Sequence, residues 1–285
     1  MPSFITRVQT GLSLAQSYLA LAVVPLLTAL VEVEKLERIV AHQGFHIGFR
    51  FSVPADVVNL WTFVDVPNQG FHVESVAPAI GPIFLTLPAT LLLSTVLSAG
   101  YFGSIAEALE TGEYRFVSNV KKHFVAFLVY AIVPVVLVAP LLLLGGQPLS
   151  PSIIPVVLLL GIAFLVLGYL FYATPYLVVL RDTGLVAAAR GAYGIAVDGG
   201  AFFRYTVGFV LFSVLLSAFA SAFVVNLGVV GLLVGILVLA PVGLGLNIAT
   251  MQLIADVDPH SPASVSLQDA VDGSAGTDSS TDSAA

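Results

Sequence analysis

His42, His46, His72 and Glu74 are side chains of the types that hold a metal ion. Imidazole nitrogens and a carboxylate supplied by two paired strands form a donor set suited to zinc. The competing reading is that these polar positions of alternating segments simply face water, because nothing local sets the register that would bring His46 beside His72. No catalytic, cofactor-binding or metal-binding residue is therefore assigned. With no cysteine in the chain, disulfides, thiolate metal sites and cysteine nucleophiles are excluded. The glycines near Gly199 and Gly200 lack the spacing and the lysine of a phosphate-binding loop, and no serine, histidine and acid fall together as a triad.

A second pattern is one of small residues. Ser213, Ser217 and Ser221 recur at every fourth position, and Gly228, Gly231 and Gly235 do nearly the same a little further on. Such stripes let two apolar helices pack closely, and they could equally line a path for a polar solute; packing needs fewer assumptions. The other polar residues within the apolar runs are hydroxyls and amides, among them Ser94, Thr95, Ser98, Thr174, Thr206, Asn226 and Asn247. Because ionised groups are retained in a bilayer chiefly for transport or catalysis, their absence from the interior of the apolar runs, Arg204 lying at the very start of its own, argues against proton-coupled transport and intramembrane proteolysis.

The elements that carry these residues are set by composition. At 58% hydrophobic, 9% charged and a mean hydropathy of +1.02, the chain of 285 residues reads as a polytopic membrane protein. Apolar runs at 12–31, 80–102, 124–144, 153–180, 202–226 and 227–249 are each long enough to cross about 30 Å of hydrocarbon. The predicted fold is all-α: a six-span domain over 1–255 with an extracytoplasmic insertion at 32–79. Within that insertion Phe45, Ile47, Phe49, Phe51 and Val53 alternate with polar positions, and Gly70 to Val76 offers a second alternation, so two short strands are expected. Pro54 is placed to open a short helix over Ala55 to Trp61, and the segment Gly103 to His123 reads as an interfacial helix. The tail, 256–285, lacks aromatics and is expected to be disordered.

Orientation follows from the basic residues. With the N-terminus inside, Arg7, Arg115, Lys121, Lys122, Arg181, Arg190 and Arg204 are cytoplasmic, against Lys35, Arg38 and Arg50 outside. Both termini are thus expected on the cytoplasmic side of the plasma membrane. Arg181, Arg190 and Arg204 are expected at the membrane interface, where arginines reach anionic headgroups. The net charge of −7 makes nucleic acid an unsuitable partner, and the acidic tail suits a protein solvated in concentrated salt, as in a haloarchaeon.

Gly100-Tyr101-Phe102-Gly103, Thr111-Gly112-Glu113, and Pro175 followed by Val178 to Asp182 and by Ala189 to Tyr193 carry a resemblance. The stretch from Gly100 to Tyr205 resembles the six-helix membrane proteins, many of them archaeal, grouped around the membrane domain of bacterial glycerophosphodiester phosphodiesterases. In that family catalysis resides in a separate soluble barrel, so the resemblance implies a membrane domain without the hydrolase. The expected function is that of a non-catalytic integral membrane protein organising lipid, a partner subunit or a second copy of itself. The alternative is a permease, or a permease subunit, for a small or lipid-like molecule.

Overall fold

The computed structural model describes residues 1–67, 76–144, 154–262 and 265. All regular structure among them is helical, and five apolar helical segments are long enough to cross a membrane: Leu87–Thr111, Phe116–Leu137, Leu158–Leu180, Gly200–Asn226 and Gly228–Val257. The first two belong to α5 (Val76–Thr111) and α6 (Phe116–Leu144), joined by a tight turn in which Gly112 has a φ of 80°. The interfacial helix predicted over Gly103 to His123 is therefore replaced by the ends of these two helices. Their approach is close: a Cβ on Gly100 would meet the Phe116 ring at 2.4 Å.

The predicted first span is not one helix. Its chain forms α1 (Phe4–Ser17), a 3-10 turn at Leu19–Ala22 and α2 (Val23–Val31), with a bend of 100° between the two halves. The reason lies in α1 itself, where Thr6, Gln9, Ser13 and Gln16 form a polar stripe at helical spacing opposite buried Val8, Gly11 and Ala15. A helix with one polar face does not cross hydrocarbon alone. It packs instead along the second half of α11 (Gly228–Val257), so tightly that a Cβ on Gly11 would lie 2.2 Å from the Gly245 carbonyl oxygen. The predicted fourth span falls on Leu158–Leu180, a single apolar segment built from α7 (Ile154–Phe171) and α8 (Thr174–Leu180), with Pro175 in the first turn of the second piece. Then follow α9 (Leu185–Asp198) and α10 (Gly200–Asn226).

The larger departure is the insertion. After α3 (Val33–Ala41) the chain does not form a strand pair. Gly44 to Val53 is extended, but it lies against helices, and most of the second predicted strand falls outside the described residues. At its start the His46 amide donates to Asn226 Oδ1 (2.7 Å) while Asn226 Nδ2 donates to the His46 carbonyl (2.8 Å), at the end of α10. The Ser217 hydroxyl then reaches the Gly48 carbonyl at 3.4 Å, two turns deeper. At its tip, Val58 lies against Gly243, half-way along the 30 residues of α11. A one-turn helix, α4 (Leu60–Phe63), capped by Asn59, turns the chain back, and the Asp65 amide donates to Ser221 Oγ at 2.8 Å. Residues 44–67 are thus a re-entrant segment rather than an external cap. The predicted helix over Ala55 to Trp61 is reduced to α4.

The alternation at 45–51 is real, but its sides are reversed. Phe45, Ile47, Phe49 and Phe51 are exposed, while Gly48 is buried and His46, Arg50 and Ser52 are half-buried. For a segment running down the flank of a membrane bundle the outer solvent is hydrocarbon, so apolar side chains turn outward and polar ones turn to the protein. The close approach at Gly243 yields a test. Gly243→Ala would place a Cβ 1.9 Å from the Val58 carbonyl oxygen, whereas Gly161 has open space around it. Overpacking against backbone costs about 1–3 kcal/mol. Thermal unfolding in detergent is expected to show a lowered Tm for Gly243→Ala and none of that loss for Gly161→Ala.

A candidate binding site inside the bundle

The tip of the re-entrant segment has irregular backbone, so its carbonyls and amides need partners from side chains. Tyr176 of α8 donates its hydroxyl to the Pro54 carbonyl at 2.9 Å, and Tyr130 of α6 donates to the Ala55 carbonyl at 2.9 Å. Asn247 of α11 supplies the rest. Its Nδ2 donates to the Asp56 carbonyl (3.1 Å) and to the Tyr176 hydroxyl (2.8 Å), and its Oδ1 accepts from the Val58 amide (2.9 Å) and the Tyr101 hydroxyl (3.1 Å). Trp61, the only tryptophan, is buried and donates its indole N–H to the Ala29 carbonyl at 2.8 Å.

This network holds Asp56 at mid-depth. Tyr130 is the middle residue of α6, Ser98 lies at the middle of Leu87–Thr111, and Gly243 at that of α11. The Asp56 carboxylate accepts from its own neighbour, the Val57 amide (2.7 Å), and from the Ser98 hydroxyl (3.3 Å). Among the described residues it has no cationic partner. Its side chain is nevertheless exposed, because it opens into two cavities on either side of α5. One, of about 420 Å³, lies between α5 and α6 and is lined by Thr90, Ser94, Thr95, Ser98 and Tyr130. The other, of about 260 Å³, lies between α2 and α5 and reaches Glu32, which is paired with Lys35. A third cavity of about 410 Å³ shares Ala55, Tyr130 and Pro134 with the first, but its remaining walls are largely apolar, from α6, α7 and α9.

The residues singled out in the sequence fall elsewhere. Ser217 and Ser221 bond the re-entrant backbone, while Ser213 donates to the Val210 carbonyl of its own helix at 2.9 Å. Gly231 and Gly235 face α10, where a Cβ on either would come within 2.7 Å of Val224 atoms, and Gly228, with a φ of 55°, makes the turn between the two helices. His42 and His46 stack edge to face with centroids 5.7 Å apart, and His46 Nε2 lies 3.3 Å from Asp65 Oδ2. His72 and Glu74 lie outside the described residues. Among the described residues no three of His, Asp and Glu come together as metal ligands. Arg190 is exposed on α9 and Arg204 on α10.

Arg181 is held by Asp258, with Nε and Nη2 at 2.9 and 2.5 Å from its two carboxylate oxygens. Asp256 and Asp258, assigned to the tail in the sequence reading, are thus ordered, Asp256 being ion-paired to buried Arg7 at 2.5 Å. The sequence places Arg7 only as a cytoplasmic charge and does not single out Asp56, because neither lies in an apolar run of membrane length. A signal for Asp56 exists in Val53-Pro54-Ala55-Asp56-Val57-Val58: a proline-interrupted apolar stretch too short to span, the pattern of intramembrane binding segments.

No protein-family model, curated protein or solved structure matches the chain.

Two outcomes are expected. Asn247→Leu strands the Val58 amide and the Asp56 carbonyl, and each unsatisfied buried group costs about 1–3 kcal/mol. Trp61 emission is expected to shift to longer wavelength and become quenchable by aqueous iodide. At the Arg181 clasp, burial by itself would raise the Asp258 carboxyl, but hydrogen bonds from Arg181, Ser261 and the His260 amide outweigh it and hold the group below the ordinary carboxylate range. Its contribution to stability is present above the unfolded value, near 4, and is lost as pH falls through the lowered folded value. Denaturation midpoints of wild type and Asp258→Asn should differ at pH 7 and converge at about pH 2.

Proposed function

We propose that the chain is a multi-pass permease, or the membrane subunit of one, whose substrate carries a cationic or hydrogen-bond-donating head on an apolar body. The observation that carries this reading is Asp56, a carboxylate at mid-depth with no cationic partner among the described residues, opening into cavities on both sides of α5. An ionisable group at such depth is costly and is typically kept for solute or ion handling. The hydroxyls of Thr90, Ser94 and Ser98, one turn apart, extend the polar surface along α5, and the adjoining apolar cavity beyond Tyr130 suits a hydrocarbon body. A bundle serving only to organise lipid or a partner subunit has no use for this carboxylate. The resemblance to a membrane domain whose catalysis lies in a separate barrel also favours a non-catalytic role.

Placement in the cell membrane with both ends of the chain inside is supported by charge. Lys122 pairs with Asp182 at 3.0 Å, so the α5–α6 and α8–α9 connections lie at one end of the bundle with the Arg181–Asp258 and Arg7–Asp256 pairs. That end holds most of the basic residues.

The test uses octylammonium and octanoate as probes, titrated against the protein in nanodiscs at pH 7 with Trp61 fluorescence as readout. A hydrogen bond to a charged group is worth about 1.5–3 kcal/mol, roughly ten- to a hundredfold in affinity. Octylammonium is expected to bind in preference to octanoate, and about tenfold or more weakly to Asp56→Asn. Equal binding by wild type and Asp56→Asn, or preference for octanoate, overturns the reading.

A further inference from the structure

A separate cavity of about 340 Å³ lies at the end of the bundle that carries the ion pairs, between the starts of α1 and α10. Ser3, Phe4, Arg7, Ala201, Arg204 and Tyr205 line it. We propose that it binds a phosphate oxyanion, and that a singly charged phosphodiester is the form it fits.

Two helix starts border this space. That of α1 is capped by Ser3 Oγ, which accepts from the Thr6 amide at 3.2 Å. That of α10, a helix of 27 residues, has no side-chain cap; the chain enters it through Gly199 and Gly200, both with positive φ. Its first amides are therefore unmet by any side chain, and a long helix carries a partial positive charge there. Helix starts of this kind receive anions.

The independent observation is Arg7. Its residue is 1% exposed and its Nη2 is 2.5 Å from Asp256 Oδ2, yet Nη1 is buried with no hydrogen-bond partner among the described residues. A buried guanidinium nitrogen left without an acceptor is costly, and the planar fork of arginine suits an oxyanion that would complete its bonding. Charge sets the class of ligand. Asp256 offsets Arg7, whereas Arg204 is exposed and makes no ion pair among the described residues. The lining side chains thus contribute one net positive charge beside a helix start, which complements the single negative charge of a phosphodiester. The nearest acid along the chain, Asp198 at the end of α9, does not line the cavity. Tyr205 is engaged with Thr250 at 2.9 Å and contributes its ring to the wall.

This site is independent of Asp56, and its test does not rely on transport. The full chain in neutral detergent is titrated with dihexanoylphosphatidylglycerol, or with inorganic phosphate against sodium chloride of equal ionic strength, and Tm is followed. Arg204→Gln leaves the buried Arg7–Asp256 pair intact, and Arg190→Gln removes an exposed arginine that does not line the cavity. The expected result is a rise in Tm with the phosphodiester, an apparent affinity about tenfold weaker in Arg204→Gln, and no change in Arg190→Gln. A response to the phosphodiester alone identifies a lipid headgroup as the source; a response to inorganic phosphate as well shows that the oxyanion suffices. No response to either probe beyond that to chloride, or equal responses in wild type and Arg204→Gln, overturns the proposal.

Discussion

A peptide group that enters hydrocarbon must find a hydrogen-bond partner inside the protein, and in this chain that requirement falls on the side chain of Asn247. A primary amide has two donors and an acceptor oxygen with two lone pairs. Here all four are used: the oxygen serves Val58 N–H and Tyr101 O–H, and the nitrogen serves the Asp56 carbonyl and the Tyr176 oxygen. One residue thus ties α5, α8 and the re-entrant tip to the middle of α11. With Tyr130 and Tyr176 bonding the next two carbonyls, a turn that would be untenable in lipid becomes part of the core. Its consequence is chemical, because the same turn delivers a carboxylate to a depth that no long apolar helix among the described residues supplies.

Small residues serve two different purposes along the α10–α11 hairpin. The glycines at 231 and 235 allow backbones and aliphatic side chains to come together, as expected where lipid offers no hydrophobic drive between helices. The hydroxyls at 217 and 221, on α10 itself, act as ligands for the backbone of an extended segment. A serine stripe is therefore ambiguous until its facing partner is known. Gly48 shows the same logic from the other side: a Cβ there would lie 2.2 Å from the Asp65 carboxylate, so descending and ascending arms of the segment touch because one of them lacks a side chain.

The charged residues divide by depth. At one end of the bundle Arg7 with Asp256, Arg181 with Asp258 and Lys122 with Asp182 are matched, and two of these pairs close the end of α11 onto its neighbours. Buried pairs of this kind chiefly fix geometry, since desolvation offsets much of their attraction. Asp56 has no such match among the described residues, and the neighbouring polar groups are hydroxyls that can donate or accept. The contrast between carboxylates paired with cations at the end and a carboxyl without a cationic partner among the described residues in the middle separates scaffold from candidate site.

Hydropathy along the chain determined that this is a helical protein with several segments apolar enough to cross a membrane and located most of its long helices, because the transfer of an apolar segment from water to lipid depends on that segment alone. The alternation at 45–51 was equally visible, as was the polar character of Asn247. What the chain could not reveal locally was which solvent each face meets. The outward phenylalanines, the use of the serine hydroxyls, the bend after α1 and the depth of Asp56 are decided by partners remote in sequence. The bond from Val58 to Asn247 spans 189 positions. A pattern of residues specifies which groups must be satisfied; only the assembled bundle determines what satisfies them, because hydrogen bonds and burial are properties of neighbours in space.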